Sequence, residues 1–124
     1  MATQNKPLDE EGIVIKEIIS LGYDAYREVP NDKEYPYAVV QTLAAPYRIP
    51  TVCDCSIEID IYGETWKQAR DIGKNLALNL PAKLIAVSNV FNVSVDNRYR
   101  DDDVDTKTPR CVLDISFTLI QPTK

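Results

Sequence analysis

From Cys53 to Ile61 the chain reads CDCSIEIDI, and apolar and polar residues alternate without a break. Side chains along a strand point to opposite faces with a period of two. In a strand from Val52 to Tyr62, Cys53, Cys55, Ile57, Ile59 and Ile61 therefore share one face, and Asp54, Ser56, Glu58, Asp60 and Tyr62 share the other. This pattern calls for an antiparallel sheet with one packed side and one side turned to water or to a partner. It stops at Gly63. Thr65-Trp66-Lys67-Gln68 then fits a capping box, with Thr65 satisfying free backbone donors and Gln68 reaching back. Trp66, Ala69, Gly73, Leu76, Ala77 and Leu80 recur at helical spacing, flanked by Ile72, until Pro81, where the helix is expected to end. The strand thus feeds a helix that folds back over its isoleucine face.

The remaining elements follow from the same signals. Pro7 to Leu21 reads as a helix with Asp9, Glu10 and Glu11 near its positive end. Its apolar stripe comprises Ile15, Ile18 and Ile19, joined by Leu8, Val14 and Leu21, and Gly22 serves as its stop. Tyr23 to Val29 is a short edge strand before the turn at Pro30-Asn31-Asp32, and Tyr37 to Leu43 is a fuller strand. Pro46 and Pro50 bracket a loop. Asn89 to Tyr99 reads as a strand with Phe91, Val93 and Val95 on one side. Cys111 to Ile120 reads as another, with Cys111, Leu113, Ile115, Phe117 and Leu119 inward. Arg100 to Pro109 joins them as a long polar hairpin loop. The expected fold is α+β: one antiparallel sheet of four to five strands, both helices on one face, and a long β-hairpin near the C-terminus. At 124 residues with no internal repeat or linker, residues 1–124 form a single domain.

The chemistry in the sequence is sparse. The chain has no histidine, and its four glycines are isolated, so neither a histidine base nor a phosphate loop is available. Cys53, Cys55 and Cys111 are too few soft ligands for a structural zinc site, and three inward positions suit small core residues. Asp101, Asp102, Asp103 and Asp105 lack the glycine and the later glutamate of a calcium loop. Glu58 and Asp60 lie two apart on one strand face, roughly 6.5–7 Å between Cβ atoms, a spacing that hydrolytic carboxylate pairs also use. An exposed polar face is the simpler reading. No catalytic, cofactor-binding or metal-binding residue is assigned, and no enzyme activity is expected.

Surface features remain. The net charge is −5, against a general nucleic-acid binder but compatible with a protein that DNA passes without adhering. No apolar run approaches a membrane span, and the N-terminus carries no secretion pattern, so a protein made in the cytoplasm is expected. Asp54, Glu58 and Asp60 form a carboxylate row without interleaved lysines. Arg98 and Arg100 stand at the hairpin stem and the aspartates at its tip, with Lys107 beyond. Mixed charge on a projecting hairpin suits contacts between copies.

The succession YPYAVV, then CSIEIDIYGETWKQARDIGKNL, then DDDVDTKTPRCVLDISFTLI resembles the tail terminator and tail-completion proteins of long-tailed bacteriophages. The likeness rests on Pro36 to Val40, Ile57 to Tyr62, Thr65 to Ile72 and Leu113 to Phe117, and covers most of the chain from about Tyr35 onward. It implies a non-enzymatic virion protein that caps the tail tube as a homo-oligomeric ring, often hexameric, at the head-proximal end of the tail. It implies the tail tube protein and the head connector as partners, no cofactor and no membrane. Under that resemblance Arg98, Arg100, Asp101, Asp102, Asp103, Asp105 and Lys107 are interface candidates. Asp54, Glu58 and Asp60 are candidates for an acidic lumen past which DNA slides, since carboxylates repel phosphates. A connector stopper or adaptor, a small α+β ligand-binding module, and, last, a metal-dependent hydrolase are the alternatives.

Overall fold

In the structure, a computed structural model that describes residues 7–32 and 34–122, two helices and a six-stranded sheet follow the order α1 (Glu10–Ser20), β1 (Ala25–Tyr26), β2 (Tyr37–Ala44), β3 (Tyr47–Ile49), β4 (Val52–Tyr62), α2 (Trp66–Ile85), β5 (Val90–Arg100) and β6 (Arg110–Ile120). The strand order is β1-β2-β4-β6-β5, with β3 continuing beside β4 beyond β2. All pairings are antiparallel except β1 with β2, which are parallel. The fold is thus α+β with a C-terminal hairpin, and it has one or two strands more than expected. The extra strand is β3, three residues of the APYRIP segment expected as a loop. Pro46 and Pro50 flank it, so neither proline breaks the ladder.

The isoleucine face of β4 is sealed as its alternation requires. Cys53, Cys55, Ile57, Ile59 and Ile61 are buried, together with Leu113, Ile115, Phe117 and Leu119 of β6. They pack in one cluster with Val14 and Ile18 of α1 and Ala69, Leu76, Leu80 and Leu84 of α2. The centre of the α1 stripe is the pair Val14 and Ile18, four residues apart; Ile19 lies a further 100° round the helix and is exposed. The helix starts at Glu10 rather than in the Pro7 turn, because the Asp9 side chain accepts from the Gly12 N–H and caps it. Gly22, at φ 98°, ends it as expected.

For α2, Thr65 accepts from the Gln68 N–H at 3.1 Å and Gln68 Oε1 accepts from the Glu64 N–H at 2.8 Å, so both cap donors are used. Pro81 does not end this helix. It removes one backbone donor, but the next turn carries Leu84 into full burial, which offsets that loss. β5 departs most from expectation. Its register shifts between Phe91 and Ser94 and again between Val95 and Asn97, and Asn92 takes a positive φ of 54°. Phe91, Val93 and Val95 therefore do not share one packed face; Val93 touches the core and the other two are exposed.

Helix and sheet pack tightly at Gly73, where a Cβ would lie 2.5 Å from Cys111 Sγ. Gly73→Ala should cost about 1–3 kcal/mol through overpacking, despite alanine's better helix propensity. In urea unfolding, combining it with Cys111→Ala should give a variant more stable than the sum of the two single losses predicts. Additive losses would mean that the clash is not the cause.

Candidate functional site

The registers of β2, β4, β5 and β6 set the open face of the sheet into rows. Starting at the hairpin end, Arg110, Tyr62 and Tyr37 form the first, and Tyr99, Val112, Asp60 and Val39 the second. Asn97, Asp114, Glu58 and Gln41 form the third, and Ser94, Ser116, Ser56 and Ala44 the fourth. Phe91, Thr118 and Asp54 come next, and Ile120, Val52 and Ile49 complete the face. The middle of the face carries carboxylates and no lysine or arginine. The arginines stand at its ends: Arg48 holds Asp54 at 3.1 Å, and Arg110 holds Asp101 at 3.0 Å.

The three acidic candidates on β4 have different fates. Asp54 is half-exposed, and its hydrogen bonds from the Arg48 guanidinium hold its carboxyl below the usual aspartate range. Glu58 is partly exposed in the third row. Asp60 is not on a wet surface: it is 4 % exposed, walled by its cross-strand partners Val39 and Val112. Gln41 Nε2 donates to Glu58 Oε2 at 3.0 Å and to Asp60 Oδ2 at 3.1 Å, so one amide clamps both carboxyl groups. No cation forms an ion pair with either among the described residues. Burial, and next the adjacent Glu58, push Asp60 up to about 7; Arg110 and Gln41 oppose this only in part. Asp114, opposite Glu58, is likewise raised, by burial first and by Glu58 and Asp96 after it. Asp60 Oδ1 and Asp114 Oδ1 are buried without a hydrogen-bond partner.

Beside this band lies an aromatic stack. Tyr37 stacks on Tyr35 and Tyr62 with ring centroids 5.5 and 5.0 Å apart, and Tyr26 meets it edge-on. Burial pushes the Tyr37 hydroxyl up to about 12. A cavity of about 130 Å³ lies behind this stack, lined by Tyr23, Pro36, Tyr37, Ala38, Ile61 and Ile72. That is well below the roughly 300–1,000 Å³ of small-molecule sites.

Of the hairpin candidates, one pair engages itself, two aspartates are held by other groups of the hairpin, and three charges stand free among the described residues. Arg100 grips Asp102 through two nitrogens at 3.0 Å and covers the Trp66 ring at 4.8 Å. Asp101 accepts from Arg110. Asp103 Oδ1 accepts from the N–H groups of Asp105 and Thr106 at 2.9 and 3.1 Å, and its backbone pairs with Thr108 and Lys107. Arg98, Lys107 and Asp105 are exposed and in no ion pair among the described residues. The Arg98 position is in register with Leu113, on the helix side of the sheet, so the structure does not bring it to the acidic band. Sequence reasoning did not single out Gln41, Tyr99, Arg110 or Asp114. Polar residues alternating along Arg110–Ile120 were the available signal, but which strand they face is a matter of pairing.

Among the described residues, no group of three or more His, Cys, Asp or Glu side chains is placed to hold a metal ion, and no helix is long and apolar enough to cross a membrane. Cys53 and Cys55 lie buried with sulfurs 3.7 Å apart, and burial raises the Cys55 thiol. A scan against protein-family models and a search of curated proteins both returned no match.

Asp60 supplies a pH test. Its folded value of about 7 stands above an ordinary aspartate at about 3.9. Between these values the folded chain holds a proton that the unfolded chain has lost, so Asp60 makes stability fall as pH rises from 4 to 7 and level off above. Asp60→Asn should remove that fall. It should match the parent at pH 3, below the unfolded value, and exceed it at pH 8 by on the order of 4 kcal/mol. An unchanged pH profile in thermal melts would show that Asp60 is ionised throughout.

Proposed function

We propose that this chain is a structural subunit of a long-tailed bacteriophage virion, one that caps the finished tail tube as a homo-oligomeric ring and gives the head connector a surface to dock on. The observation that carries the reading is the division of labour between the two sheet faces. One is sealed by the chain's own helices. The other is a long polar surface, with Glu58, Asp114 and the buried Asp60 across its middle and arginines only at its ends. A face of that kind suits the wall of a passage for DNA. Its carboxylates hold phosphates off, and its lack of central cations leaves nothing for the backbone to adhere to. Asp54 and Glu58 are the exposed contributors; Asp60 acts there as a buried, protonatable neighbour.

Native mass spectrometry tests this directly. A closed ring is expected, six subunits by the resemblance, either from the chain alone or on adding a phage tail-tube protein. Glu58→Gln removes charge from the passage wall and should leave the ring mass unchanged. A strict monomer under both conditions would end the reading.

A further inference from the structure

The hairpin tip presents one bare apolar side chain. Val104 is 86 % exposed, although the loop around it is braced by the Arg100–Asp102 and Arg110–Asp101 pairs and by the Asp103 cap. A braced loop loses little freedom on docking, so a valine held at its apex is a preorganised knob. At the other end of the same sheet face, Ile49, Val52 and Ile120 are direct cross-strand neighbours and Phe91 lies one row behind. Ile49, Phe91 and Ile120 are 56 %, 46 % and 36 % exposed.

We infer that Val104 of one copy seats on the Ile49–Val52–Ile120–Phe91 patch of the next. The inference rests on the ring reading and names its contact. Eleven residues of β6 separate the two features, about 35 Å of strand, so no single copy joins them. The contact is therefore between copies and heterologous, the kind that closes into a ring when the rotation allows. Charge agrees. Asp103 and Asp105 flank the knob and are in no ion pair among the described residues. Arg48 stands beside the patch, engaged only by the half-exposed Asp54, a surface pairing that exchanges at little cost. Joining opposite ends of the strands leaves the acidic middle uncovered, as the proposed passage requires. One knob and one patch bury far less than the roughly 1,000 Å² of a stable pairwise interface, so single contacts are weak and closure supplies the rest.

Cysteine cross-linking decides it. The native cysteines are at most 2 % exposed, so Val104→Cys and Ile49→Cys chains each carry one reactive thiol. Across a concentration series with a short bismaleimide, the mixture should give cross-linked dimer at many times the yield of either variant alone. Val104→Asp should also raise the concentration for half-association about tenfold. Oligomers that form without the mixed cross-link, or Val104→Cys linking to itself, overturn this contact and leave the ring reading standing. A chain that stays monomeric throughout, with the tail-tube protein as well as alone, overturns both.

Discussion

Eleven consecutive residue pairs join β4 to β6, from Val52–Ile120 to Tyr62–Arg110, without a bulge. A slip of one residue would turn five core side chains of β4 into water, and each fully buried aliphatic side chain is worth about 1.5–3 kcal/mol. The register is therefore fixed by the isoleucines on the hidden face, and the open face inherits it. Glu58 stands opposite Asp114, and Asp60 stands between Val39 and Val112, because the buried partners leave them nowhere else to be. The same ladder places the hairpin loop at one end of the face and the Ile49–Val52–Ile120 row at the other.

That inheritance explains how a carboxyl group comes to be buried with no cation beside it. Asp60 is in register with two valines, and Gln41, one row away, donates to it and to Glu58 through the same amide. Burying an ionised carboxylate there would cost several kcal/mol, so burial shifts the group toward its protonated form. The acidic face is consequently less negative at neutral pH than its composition suggests. Its unbalanced negative charge rests mainly on Glu58 and Asp114, since Asp54 is paired with Arg48.

Period-two alternation made β4 and β6 legible at once, and with them the core. The Thr65 cap and the Gly22 stop were legible because each is a local geometry written in one or two residue types. What could not be read depends on pairing. Alternation tells which way Asp60 points, but whether that side is wet depends on which residues of β2 and β6 lie beside it. Phe91 and Val95 alternate on paper, yet two bulges in β5 break the phase, and a bulge leaves no signature that single residues reveal. Pro81 reads as a stop because the penalty is local, whereas the gain from Leu84 comes from the sheet. The hairpin charges read as a display, but Arg100–Asp102 and Arg110–Asp101 form only once the loop has folded.

The self-bracing of the loop also bears on how copies could meet. Exposed ion pairs contribute little stability each, and charges spent on one another attract little from outside. A loop that satisfies its own arginines and still holds a valine in water gains less from electrostatic attraction than from burying that valine. An interface made this way has low affinity per contact. Many copies must close on one another before it holds, and a contact of that strength assembles on a template more readily than in free solution.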